Sequence, residues 1–266
     1  MTQEILHIAL FQSDLVWENP KANRDVMDQW FQQVSLLTDI VFLPEMFTTG
    51  FSMNVAQLAE TMEGETVQWM KKHCKEKQFA LCGSLIIQEK EKYYNRLVFV
   101  EPSGEVHFYN KRHLFTMGGE ESHFQQGTER LIVQYKGWRI CPLICYDIRF
   151  PVWSRNCDEY DLLVYVANWP RNRDEVWNTL LKSRAIENQS YVAGVNRVGV
   201  DGQKIQYSGY SQVINAKGKS VATTNGGMEG MVEAEMSYSE LEKFKITFPV
   251  LKDADYFKVL KVPKVN

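Results

Sequence analysis

The 266-residue sequence has little net charge and no dense block of charge of one sign. Its 30 Lys and Arg residues against 33 Asp and Glu residues give a formal charge of -3. The one basic cluster, Lys111-Arg112-His113, is too short to follow a phosphate backbone. No stretch reaches the roughly 18 uninterrupted apolar residues that a membrane span needs. We therefore expect neither a nucleic acid nor a membrane as a partner.

Cysteine is also scarce, with five residues at irregular positions. An odd number of this kind does not describe a disulfide framework and fits a reducing compartment. The first residues, MTQEILHIALFQ, lack the positive start and the small-residue cleavage site of a signal peptide. The sequence thus predicts a cytoplasmic protein with a free thiol available for chemistry.

Linkers, charge blocks and internal repeats are missing as well, so nothing divides the chain into several domains. Hydrophobic residues make up 44% of the sequence, which is enough to fill one large core. We expect a single domain over residues 1–246. Residues 247–266 show no clear periodicity and form an extension that either packs on a neighbour, such as a dimer partner, or is partly disordered.

Apolar runs with β-branched residues recur between segments of helical period, which predicts an α/β fold. Because strands outnumber helices, some strands are expected to pair through hairpins. The predicted strands are 5–12, 40–44, 79–88, 96–100, 138–145, 162–167, 191–195, 212–214 and 231–235. The predicted helices are 21–37, 65–77, 174–188 and 238–244.

Cys145 ends an apolar strand and is followed directly by the polar residues Tyr146 and Asp147. Sheets of α/β proteins place their ligand sites at such strand ends. The turn that follows allows the backbone N–H of Tyr146 to point at a developing oxyanion. These features favour Cys145 as a nucleophile, although a free cysteine more often serves as a small buried hydrophobe. The other four cysteines receive that structural interpretation.

Two further ionisable residues stand in comparable positions. Glu45 closes the apolar run 40–45, where partial desolvation suits a carboxylate to general-base chemistry, although helix capping or an ion pair is an equal interpretation. Lys111 follows a strand-like stretch and could stabilise a thiolate and an oxyanion, although most lysines are solvated surface charges. The three residues gain weight only as a set.

Other catalytic constellations match poorly. The sequence has no G-x-S-x-G elbow, and the phosphate-loop-like stretch 218–220 has Val213 where the first glycine should stand. No histidine or cysteine pair has the spacing of a zinc site. His113 and His123 are candidates for a Cys–His pair, and both are interpreted as local hydrogen-bonding residues.

Together, three segments resemble the carbon–nitrogen hydrolase, or nitrilase, superfamily, which carries a Glu–Lys–Cys triad in this order. They are Leu43-Pro44-Glu45, Lys111-Arg112-His113-Leu114-Phe115 and Cys145-Tyr146-Asp147-Ile148-Arg149-Phe150-Pro151. Further family-like segments at 9–12, 167–170, 184–188 and 194–197 extend the likeness over almost the whole chain. The resemblance implies a four-layer α-β-β-α sandwich of the nitrilase type. It also implies a homodimer formed through helices beside the active site, and no metal or organic cofactor.

The Tyr-Asp-Ile-Arg-Phe-Pro segment and the later Trp-Pro step resemble the ω-amidases, which hydrolyse the terminal amide of 2-oxoglutaramate or 2-oxosuccinamate. The family also has a second glutamate between the lysine and the cysteine. Glu120, seven residues before Gly127, fits that place better than Glu121. The resemblance therefore implies an amidase whose catalytic residues are Glu45, Lys111, Cys145 and Glu120.

A 2-oxo acid amide carries a carboxylate that needs a cation or oriented donors in a small pocket. Arg149 is the nearest candidate, and a structural ion pair with Asp147 or another acid is an equal interpretation of it. Phe115 and Trp169 are expected to wall the pocket, and Tyr146 to contribute its N–H. The alternatives are another small-amide or N-carbamoyl hydrolase of the superfamily, or a catalytically silent binding member of the fold.

Overall fold

Two six-stranded sheets position the residues discussed below, and the computed structural model describes residues 2–255 and 257–259. The strands are β1 (Ile5–Gln12), β2 (Ile40–Phe42), β3 (Ala80–Glu89), β4 (Lys92–Val100), β5 (Val106–Asn110), β6 (Val133–Tyr135), β7 (Trp138–Ile144), β8 (Leu162–Ala167), β9 (Tyr191–Asn196), β10 (Val198–Val200), β11 (Gln206–Ser208), β12 (Gln212–Ile214), β13 (Ser220–Thr223) and β14 (Gly230–Ser237). The α-helices are α1 (Pro20–Phe31), α2 (Val55–Leu58), α3 (Glu65–Lys77), α4 (Glu120–His123), α5 (Pro151–Ser154), α6 (Asp174–Asn188) and α7 (Tyr238–Thr247).

Each sheet has parallel strands at its centre and antiparallel strands at its edges. The first sheet has the order β14-β1-β2-β3-β4-β5, in which β1, β2 and β3 run parallel. The second has the order β13-β12-β9-β8-β7-β6, in which β7, β8 and β9 run parallel. Every residue of β8 is buried, which explains its continuous apolar sequence LLVYVA. Strands β10 and β11 form a separate hairpin.

Side chains of β1 point alternately to its two faces and so belong to two different hydrophobic cores. Leu6, Ile8 and Leu10 join the core that lies between the two sheets, whereas Ala9 and Phe11 belong to the core under α1 and α3. On the other side of the molecule, α6 packs its apolar face on the second sheet. These layers are the α-β-β-α sandwich that the resemblance implied.

The parallel strands bring chemically important residues to one edge of the sandwich. Strands β5 and β7 end one residue before Lys111 and Cys145, and β8 ends one residue before Asn168. Glu45 lies three residues beyond the end of β2. Strand β5 is antiparallel to β4, which is antiparallel to β3, so β5 runs in the same direction as the parallel strands. The carboxyl ends of strands that run in one direction meet at one edge of a sheet, so residues distant in sequence converge there.

The predicted elements differ from the observed ones mainly at their ends. The helix predicted over 21–37 ends at Phe31. The prediction ran too far because Leu36 and Leu37 continue the apolar period, but their side chains point into solvent. The strand predicted to 145 ends at Ile144, since Cys145 begins a 3-10 helix. Five strands are missing from the predicted set. In the region of β5 the sequence indicates only the strand-like stretch 105–108 before Lys111; β6, β10, β11 and β13 have only three or four residues each, too few to show a periodicity.

The proposed division at residue 246 stays a prediction. Helix α7 runs to Thr247 and a 3-10 turn, Val250–Asp253, follows it; residues 256 and 260–266 of the extension lie outside the described residues. Over the described part of the chain, no helix combines the length and apolar character that crossing a membrane requires.

Candidate active site

A cavity of about 750 Å³ opens at the edge where the strand ends meet. Glu45, Lys111 and Cys145, which the sequence had suggested as a set, all line it. The remaining wall comes from Tyr146 and Arg149 and from the segments around residues 51–53, 115–118, 168–173 and 203–207. Three segments that are far apart in sequence therefore place their ionisable side chains at one cavity.

The Lys111 ammonium lies between two buried carboxylates. Its Nζ donates to Glu45 Oε1 at 2.8 Å and to Glu120 Oε2 and Oε1 at 2.9 and 3.1 Å. All three side chains are at most 1% exposed. Burial alone would lower the pKa of Lys111, but the Glu120 and Glu45 carboxylates outweigh it and hold that pKa above its ordinary value. Lys111 therefore stays charged while it faces the cavity.

Glu120, and not its neighbour Glu121, reaches the cluster. Glu120 is fully buried at the start of α4, whereas Glu121 is exposed. The backbone N–H of Phe115 donates to Glu120 Oε2 at 2.7 Å and fixes the carboxylate against Lys111. Burial and the nearby Glu45 charge raise the pKa of Glu120, while Lys111 opposes them. The geometry thus favours the first glutamate of the adjacent pair.

Two asparagines orient the carboxylates, and the sequence reasoning had assigned a role to neither. Asn95 Nδ2 donates to Glu45 Oε1 at 2.8 Å and to Glu120 Oε1 at 3.0 Å. Asn168 donates its backbone N–H to Glu45 Oε2 at 2.9 Å and its Nδ2 to the Glu45 carbonyl at 2.6 Å. Asn95 precedes the strand predicted over 96–100 by one residue, and the structure extends that strand back to Lys92. Its only signal was an asparagine beside a strand, where this residue type is disfavoured.

Cys145 stands at a sharp turn in the backbone. Its φ of 44° lies in the left-handed region, and the 3-10 helix Cys145–Arg149 starts there. A non-glycine residue with such a φ is held by its surroundings at a conformational cost of about 1–3 kcal/mol, and residues of this kind cluster at functional sites. The turn presents the thiol to the cavity and leaves the N–H of Tyr146 without an acceptor inside the short helix.

The surroundings of Cys145 favour its neutral thiol. Burial raises the pKa of the thiol well above its ordinary value, and the negative charge and hydrogen bond of Glu45 add to this effect. Lys111 and the Asn168 N–H act in the opposite direction. The thiol is therefore protonated at neutral pH, with a carboxylate beside it that can accept its proton.

Hydrogen bonds of Asp147 connect the turn at Cys145 to the segment that carries Lys111. Its carboxylate accepts from the Tyr109 hydroxyl at 2.8 Å, the His113 Nδ1 at 2.8 Å and the backbone N–H groups of His113 and Ile144, each at 3.0 Å. His113, considered above as a partner of the thiol, thus forms hydrogen bonds with Asp147. Asp147 is fully buried, so these bonds are shielded from water.

The residues that were predicted to wall the pocket lie at the opening of the cavity, which we call the cavity mouth. Phe115 packs edge-to-face on Tyr146, with ring centroids 5.1 Å apart. The Arg149 guanidinium lies 5.1 Å from the centre of the Trp169 ring. In the part of the chain that the structure describes, no carboxylate comes within 4 Å of Arg149; Asp147, the suggested partner, bonds elsewhere. Arg149 is therefore an unpaired cation at the cavity mouth.

A two-sheet sandwich with a buried thiol, an ammonium and two carboxylates at one cavity has the chemistry of a cysteine-dependent hydrolase. Residues 7–246 match the family described as carbon-nitrogen hydrolase, and the chain belongs to this family.

The chain is also similar to individual proteins of known name or structure. The chain is 45% identical over 254 residues to Omega-amidase YafV of Escherichia coli, covering 96% of this chain and 98% of that protein. It is 31% identical over 251 residues to 2-oxoglutaramate amidase of Bacillus subtilis, covering 92% and 96%. Among solved structures, XC1258 of Xanthomonas campestris, a CN-hydrolase superfamily protein with an arsenic adduct in its active site, matches with a TM-score of 0.94 and 40% identity, covering 97% of this chain and 100% of that one.

Removing the central cation should expose the repulsion between the two carboxylates. We expect Lys111→Met to lower the free energy of unfolding by about 3–5 kcal/mol, because it leaves buried charge uncompensated. Adding Glu120→Gln to that variant should recover a measurable part of the loss. Urea unfolding checks both, with Lys21→Met, which breaks an exposed pair with Asp25, as a control that changes by less than about 1 kcal/mol. Equal losses in Lys111→Met and the double variant would contradict the account.

The pH dependence of thiol alkylation tests the environment of Cys145. Because burial and Glu45 raise the pKa of the thiol, its alkylation by iodoacetamide should keep rising with pH above neutrality. In Glu45→Gln one source of that shift is removed, so the profile should move to lower pH. Peptide mass spectrometry measures the rate, and the exposed Cys157 serves as an internal reference. A profile that moves to higher pH in Glu45→Gln would argue against the assignment.

Proposed function

We propose that this chain is an ω-amidase, which hydrolyses the terminal amide of a small 2-oxo dicarboxylic acid monoamide, such as 2-oxoglutaramate or 2-oxosuccinamate, to the acid and ammonia. The observation that carries the proposal is a thiol, Cys145, beside an ammonium, Lys111, that two buried carboxylates hold at one cavity. The amidase activity expected from the sequence is confirmed by the family and by relatives named omega-amidase and 2-oxoglutaramate amidase.

The first half of the reaction forms a thioester. Glu45 accepts the proton of the Cys145 thiol as Sγ attacks the carbon of the amide. Lys111 and the Tyr146 N–H stabilise the oxyanion of the tetrahedral intermediate. Glu45 then donates the proton to the amide nitrogen, the C–N bond breaks, and ammonia leaves. Because Glu45 first accepts and then donates this proton, the neutral resting thiol suits the sequence of steps.

The second half hydrolyses the thioester. Glu45 takes a proton from water as the water oxygen attacks the thioester carbon, and Lys111 again stabilises the oxyanion. The C–S bond breaks and the thiolate leaves; it recovers its proton from Glu45. Glu120 does not meet the substrate in this scheme. It keeps the Lys111 ammonium in place, and Asn95 and Asn168 keep the Glu45 carboxylate in the orientation that both halves need.

The cavity mouth supports an anionic substrate. A 2-oxo dicarboxylic acid monoamide carries a carboxylate at the end opposite its amide. Arg149, which lacks a carboxylate partner among the described residues and lies over Trp169, can offer it a charge-assisted hydrogen bond. Phe115 and Trp169 give the aliphatic middle of the substrate apolar walls.

Ammonia release from a panel of substrates tests the function. We expect release from 2-oxoglutaramate at a far higher kcat/KM than from glutamine, an N-carbamoyl amino acid or a simple nitrile. Cys145→Ser should lower turnover by at least about 10³-fold, because a hydroxyl beside the same carboxylate is a much poorer nucleophile. Cys157→Ser, at an exposed cysteine, is the matched control with unchanged turnover. Retained activity in a clean preparation of Cys145→Ser would overturn the assignment, and preference for the N-carbamoyl substrate would replace the proposed one.

We also propose that the chain forms a homodimer through helices beside the site. Four large apolar side chains are 50–75% exposed on or just after α5, α6 and α7: Val152, Ile186, Ile246 and Phe248. Two hydrogen bonds join these regions: the Arg155 Nη1 donates to the Glu187 carbonyl at 2.7 Å, and the Gln189 Nε2 to the Phe248 carbonyl at 2.6 Å. A joined set of exposed apolar residues is typical of an interaction surface.

Sedimentation velocity checks the dimer. The wild type should sediment as a particle of twice the 30.9 kDa chain mass. Ile186→Glu should shift the population towards monomer, because it places a charge in the apolar contact. Val221→Glu, at an exposed valine of β13, is the control that should remain dimeric. A monomeric wild type, or a fully dimeric Ile186→Glu, would contradict this proposal.

A further inference from the structure

The mouth of the cavity has more positive charge than the reaction at Cys145 needs. Three arginines line it, Arg149, Arg171 and Arg173. Among the described residues that line the cavity, the one carboxylate is that of Glu45, which Lys111 already engages. The residues that line the mouth therefore carry more positive than negative charge.

Arg173 lies over an aromatic ring, as Arg149 does, but it is half-buried, whereas Arg149 and Arg171 are exposed. It ends the 3-10 helix Arg171–Arg173, and its carbonyl accepts the Trp169 Nε1 at 2.8 Å. Its guanidinium lies 5.3 Å from the centre of the Phe115 ring, which packs in turn on Tyr146, the residue after the nucleophile. An aromatic face orients a guanidinium without consuming its N–H donors.

The hydrogen-bonding capacity of Arg173 is unused in the free protein. In the part of the chain that the structure describes, no carboxylate lies within 4 Å of its guanidinium and no side-chain hydrogen bond engages it. Arg171, by contrast, is exposed and donates its Nη1 to Gln206 Oε1 at 3.3 Å. A half-buried, stacked and unpaired arginine at a cavity wall is placed to receive an anion from the cavity.

We propose that Arg173 is a specificity-determining residue that shares the substrate carboxylate with Arg149, also binds the 2-oxo group, and disfavours the corresponding α-amino acid amide. The inference rests on the proposed ω-amidase function. The 2-oxo oxygen and the adjacent carboxylate are both acceptors, which the planar fork of a guanidinium can bind together. Glutamine has an ammonium at the position of the 2-oxo group, and the same guanidinium repels it.

The difference in charge between the two substrates makes this discrimination effective. Both 2-oxoglutaramate and glutamine bring a carboxylate that pairs with the guanidinium, but glutamine also brings an ammonium, and among the described residues that line the cavity no carboxylate is free to pair with it. A pocket can reject an analogue strongly when the analogue leaves charged groups unpaired, and only weakly when it differs in apolar size. The position of Arg173 therefore accounts for selection by charge and not by fit.

Steady-state kinetics on Arg173→Met tests the inference, with Arg171→Met as the matched control. We expect KM for 2-oxoglutaramate to rise about 10–100-fold in Arg173→Met, the loss of one charge-assisted pair, while kcat changes much less. Arg171→Met, which removes an exposed charge from the same mouth, should raise KM much less than Arg173→Met does. Arg173→Lys should lie between wild type and Arg173→Met, because it restores the charge without the planar fork.

Charge reversal provides a second, independent readout. Arg173→Glu should lower the ratio of kcat/KM for 2-oxoglutaramate to that for glutamine further than Arg173→Met does, because a carboxylate now faces the glutamine ammonium. Arg173→Gln serves as a second neutral variant if Arg173→Met does not unfold cooperatively in urea. A wild-type KM and ratio in any folded neutral variant would overturn the inference while leaving the function intact. A wild type that releases no ammonia from 2-oxoglutaramate would overturn the proposed function instead.

Discussion

The Lys111 ammonium, buried between the carboxylates of Glu45 and Glu120, is the interaction on which the rest of the site depends. A buried cation is unfavourable alone, and so are two buried carboxylates side by side; together they compensate one another. Once paired, they fix the geometry at the cavity, because each carboxylate is also held by an Asn95 hydrogen bond. In the proposed mechanism the cluster gives the reaction a permanent positive charge for the oxyanion and a carboxylate, on Glu45, that moves protons beside the thiol.

The fold supplies that cluster by bringing strand ends together. Lys111 and Cys145 belong to different sheets, so their relation depends on how the sheets stack as well as on each local turn. Asp147 joins the two segments by accepting from Tyr109 and His113 on one side and from the Ile144 N–H on the other. The left-handed backbone at Cys145 is therefore held in place by the same bonds that hold the lysine segment.

Much of this arrangement can be predicted from the sequence. Buried parallel strands are continuous apolar runs, and an ionisable residue at or just after the end of such a run is easily recognised. Cys145 and Glu45 are recognisable in this way, and Lys111 joins them through the resemblance of its segment. Asn95 and Arg173 are not, since what distinguishes them is contacts across the fold: Asn95 donates to two carboxylates, and Arg173 lies over a ring about sixty residues earlier. The short strands at the sheet edges and the end of α1 also escape prediction, because tertiary packing and not local period sets them.

The central claim is that the amide carbonyl is transferred to the sulfur of Cys145 before water releases it. Rapid-quench mass spectrometry of the enzyme during turnover of 2-oxoglutaramate tests this most directly. The account predicts a transient acyl group on the peptide that contains Cys145, formed with the first release of ammonia and absent from Cys145→Ser. Ammonia release without any acylated peptide, or an acyl group on a different residue, would contradict it.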